Sequence, residues 1–212
     1  MEKGSRRGGI CYLCGLPGSD SRDHVVARAF LKAPFPTNLL TLESHHRCQA
    51  AFSGSEDYVR NILAGMADDG SKTNLVPGAE VQRAINRNPV LREDLARGFL
   101  LRADMSDEDL PVDVAGAIRF DRERFYPSLE KIVRGLHFHH VGRRLAATTE
   151  FRWTIVDHPS KINAQLEKML KACQPGLTYA GSFESSYALA TELCMWTLRF
   201  YRAKLFVCLF PR

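Results

Sequence analysis

The sequence predicts an α+β protein in two parts, a small ββα unit followed by a larger domain of helices and antiparallel strands. Three observations support this prediction. Two Cys/His pairs of equal spacing bracket residues 11–48. A helical middle, predicted over 79–102, is followed by mixed strands and helices and then by a strand-rich end. Two apolar segments around a short polar one, over 195–210, are typical of an antiparallel hairpin.

The composition is that of a soluble globular protein. The chain has 212 residues, of which 45% are hydrophobic, 9% aromatic and 25% charged. These fractions exclude a collagen-like, low-complexity or wholly disordered chain. No apolar run approaches the roughly 20 residues needed to cross a bilayer, and the charged start lacks the apolar core of a signal peptide. We therefore expect a cytoplasmic protein with no membrane partner.

The net charge of +5 is a mild basic excess, which permits a polyanionic partner without demanding one. Arginine suits phosphate contacts because its planar guanidinium presents a fork of donors. The first quarter of the chain contains Arg6, Arg7, Arg22, Arg28 and Arg47. Residues 1–10 are also rich in glycine and are predicted to form a flexible basic arm.

The small unit is predicted over residues 11–68. Its strands are expected over 24–27 and 38–42, where apolar residues follow turn signals. Its helix should begin at Ser53 or Ser55, since serine is a favoured N-cap, and continue to residue 63.

The second part is an α+β domain over residues 69–212. Its predicted helices cover 79–86, 91–102, 121–138 and 161–172, and its predicted strands cover 114–120, 151–156, 177–180, 195–200 and 205–210. The helix over 121–138 has an apolar stripe made of Phe125, Leu129, Ile132, Val133 and Leu136. No catalytic pattern occurs in this part of the sequence.

The two ligand pairs predict a zinc site. Cys11 and Cys14 have the same spacing as His45 and Cys48. Two such pairs on separate turns can converge on one tetrahedral ion, as in structural sites of three cysteines and one histidine. A lone C-x-x-C also fits a redox pair, but the second pair and the absence of a thioredoxin-like context favour structural Zn2+. The ion would fasten the start of the small unit to its helix, because so small a unit has little core.

Polar residues between and beside these pairs suggest a second centre. Asp23 and His24 are adjacent, Asn38 follows on the paired strand, and Gln49 comes after the second pair. The Asp23 carboxylate can hold a divalent metal while the adjacent imidazole deprotonates a water molecule. Asn38 can fix the imidazole through its other ring nitrogen, and the Gln49 oxygen can complete the metal ligands. The alternative is an ordinary polar turn, because Asp-His dipeptides are common.

This pattern resembles the HNH endonucleases of the ββα-metal superfamily. That family has a zinc C-x-x-C, a D-H-hydrophobic segment, a central Asn, and a C-x-x-C-N segment that opens the helix. The corresponding segments here are Cys11-Tyr-Leu-Cys14, Asp23-His24-Val-Val, Asn38-Leu-Leu and His45-His-Arg-Cys48-Gln49. A bacterial branch is similar further along, in Ser53-Gly-Ser-Glu56-Asp-Tyr58, in the KIVRGL helix at 131–136 and in an aromatic hairpin at 196–211. The specific motifs cover about residues 11–60.

The resemblance implies a metal-dependent endonuclease that hydrolyses phosphodiester bonds in DNA, with RNA as an open alternative. His24 would be the general base and Asn38 its orienting partner. Asp23 and Gln49 would hold a catalytic Mg2+ or Mn2+ ion, which would stabilise charge on the pentacoordinate phosphate. The candidates for phosphate contacts are Arg22, Arg28 and Arg47.

The chain departs from the family pattern at two positions. His45 replaces the first cysteine of the second pair, and zinc accepts this readily. Gln49 replaces the helix-opening Asn and is one methylene longer, which can disturb the metal geometry; His46 is an alternative ligand. Two other functions therefore stay open, a nucleic-acid-binding module that has lost hydrolysis and a structural protein in which zinc only pins the N-terminus.

The C-terminal part offers two further motifs. His137, His139 and His140 lie at the expected end of a helix, where cations favour the helix dipole, and we prefer this interpretation to a second metal site. The aromatic residues of the closing hairpin fit core packing better than base stacking. Residues 69–212 have three open roles, namely substrate recognition, covering of the nuclease site and formation of a homodimer.

Overall fold

A computed structural model describes residues 8–31, 34–66, 120–156, 162–201 and 205–212, together with the single positions 89 and 93. The predicted arm lies outside the described residues except for 8–10. The same holds for the elements predicted over 79–86, 91–102 and 114–120, apart from positions 93 and 120.

The fold begins with a two-stranded antiparallel hairpin. Strand β1 (Ser21–His24) pairs with strand β2 (Thr41–Ser44). Within β1, Asp23 is buried and His24, the last residue, is half-buried. The two side chains therefore project to opposite sides of the strand.

The prediction of two strands is confirmed, but their bounds differ from the prediction. β1 ends at His24 instead of beginning there, and β2 begins at Thr41. Val25 and Val26 are consecutive and both buried, which suits a chain that turns into the core better than a strand with one covered face. They lead into a single 3-10 turn, Arg28–Phe30.

Two helices follow the hairpin. A short helix α1 (His46–Ala50), absent from the prediction, precedes α2 (Ser53–Met66). Ser53 is the first residue of α2, and its hydroxyl donates to the Ala50 carbonyl at the end of α1; no described hydrogen bond has it capping the helix as predicted. Ser55 lies inside α2 and donates its hydroxyl to the Arg124 carbonyl, so it joins two helices and is not the cap.

The predicted helix over 121–138 is confirmed as α3 (Arg122–Val141). The Asp121 carboxylate caps its start by accepting from two backbone N–H groups, and Gly142, at a φ of 71°, ends it in the left-handed conformation. The predicted apolar stripe is buried at every position: Phe125, Leu129, Ile132, Val133 and Leu136. His137, His139 and His140 lie in the last turns of α3, as the helix-end interpretation predicts.

A five-stranded antiparallel sheet forms the rest of the described chain. The strands are β3 (Arg152–Val156), β4 (Gln174–Tyr179), β5 (Phe183–Leu189), β6 (Leu193–Phe200) and β7 (Leu205–Pro211), in the order β3-β7-β6-β5-β4, and helix α4 (Ala164–Lys171) connects β3 to β4. The predicted hairpin at 195–210 is confirmed as β6–β7. Strand β5 was not predicted, because its glutamate and two serines resemble a turn more than a strand.

The sheet is covered on both faces. One face packs on α3 and the small unit in a single hydrophobic cluster, and the other face packs on α4 around Met195 and Val207. The hairpin aromatics are core residues, as expected: Trp196, Phe200, Tyr201, Phe206 and Phe210 are buried. None of the helices in the described parts of the chain has the length and apolar character of a membrane span.

Two tyrosines of the sheet hold the small unit in place. The Tyr201 hydroxyl donates to the Phe30 carbonyl at 2.7 Å. The Tyr179 hydroxyl accepts from the Leu40 backbone N–H at 2.7 Å. Two backbone groups between β1 and β2, the Phe30 carbonyl and the Leu40 N–H, are therefore paired with side chains of the C-terminal part.

Candidate metal centre and the surroundings of His24

The predicted zinc ligands converge in space. One donor atom from each of Cys11, Cys14, His45 and Cys48 lies within 4.8 Å of the others. The His45 Nδ1 atom is 3.3 Å from the Cys14 sulfur and 3.9 Å from the Cys48 sulfur. Three thiols and one imidazole gathered in this way are a donor set that fits a structural Zn2+ ion.

A tight backbone turn brings the two side chains of each ligand pair together. The Gly15 N–H donates to the Cys11 carbonyl in a tight turn, where Gly15 has a φ of 79° that suits glycine. At the second pair, the N–H groups of Cys48 and Gln49 donate to the His45 carbonyl as α1 begins. Both i, i+3 spacings therefore belong to closed turns, which bring each pair of side chains to the same side.

The His45 ring is oriented for coordination through Nδ1. Its Nε2 atom lies 3.3 Å from the Pro17 carbonyl oxygen, to which it can donate a proton. That contact selects the tautomer whose Nδ1 lone pair points to the sulfurs of Cys14 and Cys48. A second contact of this kind is usual for a metal-bound histidine.

The cysteine thiols perturb one another. Burial opposes ionisation of Cys11, but backbone N–H groups around its sulfur lower its pKa to about 7. Burial and the neighbouring Cys14 and Cys11 sulfurs raise the pKa of Cys48 to about 11. Ionising all three sulfurs together is therefore unfavourable unless a cation neutralises them.

The Cys/His quartet and His24 lie at opposite ends of the hairpin. Ser21 and Ser44 face each other at the end near the quartet, and His45 directly follows Ser44. The Tyr12 N–H donates to the Glu43 carbonyl at 3.0 Å and so attaches the first turn to β2. Zinc would thus fix the relative position of the two strands and of α1.

His24 has the environment of a neutral imidazole. Burial and then the nearby Arg28 guanidinium lower its pKa, against the opposing effect of the Asp23 carboxylate. Asn38 is exposed, and no described hydrogen bond joins it to His24. The structure therefore does not bring the expected orienting partner into contact with the imidazole.

Asp23 is buried in a network of charged and polar groups. The Tyr12 hydroxyl donates to its Oδ2 atom at 2.5 Å. The Lys131 ammonium lies 2.9 Å from each of its two carboxylate oxygens. The same ammonium donates to Glu56 Oε1 at 2.6 Å. Burial raises the pKa of Glu56, and Lys131 opposes that effect.

Gln49 is engaged within the hairpin. Its Nε2 atom donates to the hydroxyls of Ser21 at 3.0 Å and Ser44 at 2.6 Å. His46 is exposed, and its backbone N–H donates to Asp20. Because Lys131 already neutralises Asp23, this carboxylate does not fit a second, catalytic divalent ion in this arrangement. The two serine hydroxyls orient the Gln49 amide through its Nε2 atom.

The three candidate arginines are all exposed. Arg22 contacts Thr41 and forms a 3.4 Å ion pair with Glu43. Arg28 stacks on the Phe35 ring, with its guanidinium carbon 4.3 Å from the ring centroid. Arg28 is the one whose charge acts on His24.

Sequence reasoning missed the partners of Asp23. Lys131 lies in the 131–136 segment of the resemblance, but no spacing rule connects it to a residue 108 positions earlier. Lys131 lies outside the apolar stripe of α3, so its burial is a tertiary feature that no local signal in the sequence marks.

The chain was compared with family models, curated proteins and solved structures, and none of them matches it.

Proposed function

We propose that this chain is an HNH-type DNA endonuclease in which His24 is the general base. The observation that carries the proposal is the position of His24 at the end of β1, half-buried and beside Arg28, in a hairpin closed by the Cys/His quartet. A histidine at a strand end can meet an extended substrate while the strand holds it rigid.

The chemistry follows from the imidazole and its neighbours. Neutral His24 accepts a proton from a water molecule, and the water oxygen attacks phosphorus. The bond from phosphorus to the leaving oxygen breaks, and its electron pair leaves with that oxygen. The exposed Arg28 guanidinium, whose charge acts on His24, would contact a phosphate oxygen and offset its charge.

The test is cleavage of supercoiled plasmid by zinc-loaded protein. The resemblance implies a requirement for Mg2+ or Mn2+, so reactions contain either ion, no added ion, or EDTA. We expect wild-type protein to relax or linearise the plasmid and His24→Ala to leave it intact. His139→Ala is the matched control, because His139 is an exposed histidine outside the predicted site. Equal cleavage by His24→Ala and wild type would exclude His24 as the base.

A second candidate is a nucleic-acid-binding module without hydrolysis. The pairing of Asp23 with Lys131 favours it, because a carboxylate neutralised in this way is not free for a catalytic ion. This function predicts an intact plasmid but a shift of DNA in a gel, with an affinity that falls steeply with salt concentration. A single-stranded RNA probe in the same gel tests the alternative nucleic acid.

A further inference from the structure

We propose that Lys131 is a built-in cation that takes the place of a divalent ion at Asp23, so that zinc is the single metal ion of this centre. The inference deepens the proposed function, and its relevance to catalysis rests on that function. The contacts that support it are independent of whether DNA is cleaved.

Both oxygens of the Asp23 carboxylate are already paired. The Lys131 ammonium lies 2.9 Å from both oxygens, and the Tyr12 hydroxyl donates to Oδ2. A divalent ion takes an oxygen ligand by direct contact, and the ammonium occupies the approach to both oxygens. An incoming ion would have to displace Lys131 from this carboxylate.

The Lys131 side chain is almost fully buried beside its two carboxylate partners. Its side chain is 3% exposed and the Asp23 side chain 8%. Its other described partner is Glu56, at 2.6 Å on α2. An ammonium moved away from both carboxylates would be an unpaired charge in the core, which is costly.

The helix that carries Lys131 packs closely against Val25, which directly follows β1, and against Tyr12. A Cβ atom added at Gly135, one turn along α3, would lie 2.7 Å from Val25 Cγ1 and 3.3 Å from Tyr12 Cε2. The close approach at Gly135 places the Lys131 side chain within reach of Asp23. The pairing is therefore a consequence of how α3 packs.

The role of this pair follows from its neighbours. Tyr12 adjoins the zinc ligand Cys11, and Asp23 adjoins His24. The network Tyr12–Asp23–Lys131 thus links the turn that carries Cys11, the strand that carries His24 and helix α3. Lys131 is a positioning residue in this account, since its buried ammonium does not reach substrate.

The test is a titration of zinc-saturated protein with Mn2+, with free Mn2+ measured by electron paramagnetic resonance. We expect wild type and Asp23→Asn to bind Mn2+ identically, with no stoichiometric site. Lys131→Met leaves two carboxylates without their cation, so we expect it to gain one Mn2+ per chain, and the further change Asp23→Asn to remove it. Lys171→Met is the matched control, because Lys171 forms an exposed ion pair with Glu167 and its loss should create no site.

Two results would overturn the inference. One is a stoichiometric Mn2+ site in wild type that Asp23→Asn abolishes, a result that does not depend on the folding of any lysine variant. The other is a folded Lys131→Met protein that gains no Mn2+. Plasmid cleavage together with a wild-type Mn2+ site would uphold the proposed function and reject the inference. An intact plasmid with no such site would do the reverse.

Discussion

Gly135 of α3 lies directly against Val25, with an added Cβ atom only 2.7 Å from Val25 Cγ1. Val25 is fully buried and follows His24 in the chain, so this contact sets the distance between α3 and the end of β1. The two parts of the molecule meet here without room for a methyl group.

The contact predicts that Gly135→Ala destabilises the protein. The added methyl group meets a packed core, and overpacking of this kind typically costs about 1–3 kcal/mol of unfolding free energy. Gly54→Ala is the control, because nothing lies within 4 Å of its added Cβ. We expect that control to be neutral or stabilising by less than about 1 kcal/mol. Urea denaturation measures both, and an equal effect of the two changes would contradict the account.

The quartet predicts one tightly held zinc ion per chain. Cys48→Ser should lose that ion, because it removes one of the four donors whose atoms lie within 4.8 Å of one another. Cys173→Ser should keep it, since Cys173 is a cysteine outside the quartet. Metal analysis after dialysis against a weak chelator measures the stoichiometry. Retention of zinc by Cys48→Ser would reject the proposed ligand set.

The buried ion pair predicts a large loss of stability in Lys131→Met. Removing one partner of a buried pair typically costs about 3–5 kcal/mol, because the other charge stays buried without compensation. The double change Lys131→Met with Asp23→Asn should recover part of that loss. The exposed pair at Lys171 should contribute less than about 1 kcal/mol. Strictly additive effects of the Lys131 and Asp23 changes, measured by denaturant unfolding, would show that the two side chains do not interact.

His137 predicts a dependence of stability on pH. It is 5% exposed, its Nδ1 atom has no described hydrogen-bond partner, and burial followed by the nearby Arg212 charge lowers its pKa. The unfolded chain therefore binds a proton more readily near pH 6, so this histidine lowers stability as the pH falls through about 6.5.

The measurement compares unfolding free energies at about pH 7.5 and 5.5. His137→Phe should lose less stability than wild type on acidification, by at most about 1.4 kcal/mol over this interval, because only one pH unit of it lies below the unfolded pKa of about 6.5. His139→Phe is the control, because His139 is exposed. If wild type and His137→Phe lost stability equally, protonation of His137 would not be coupled to unfolding.

The parts of the site that depend on local spacing were predictable. The i, i+3 pairs around Cys11 and His45 form within single turns, so the sequence predicted the quartet without knowledge of the fold. Helix α3 was predictable for the same reason, since the period of its apolar residues and the cap at Asp121 are local features. The order of the two strands and the longer helix α2 was predicted for the same reason, whereas the short helix α1 was not.

The parts that depend on tertiary packing were not predictable. The pairing of Asp23 with Lys131 joins residues that no local pattern relates. β1 ends at His24 and does not continue over the predicted residues 25–27, because Val25 and Val26 are both buried in the core. The hydrogen bonds of Gln49 to Ser21 and Ser44 depend on the pairing of β1 with β2, which no local pattern shows.

The central claim is that His24 acts as the general base of a DNA endonuclease. The most direct measurement is the ratio of initial plasmid-nicking rates of zinc-loaded wild type and His24→Ala, with His139→Ala measured alongside. General-base catalysis contributes about 10²–10⁴-fold, so we predict a ratio in that range and a ratio near unity for His139→Ala. A wild-type protein that does not nick plasmid, or that nicks it no faster than His24→Ala, would contradict the claim.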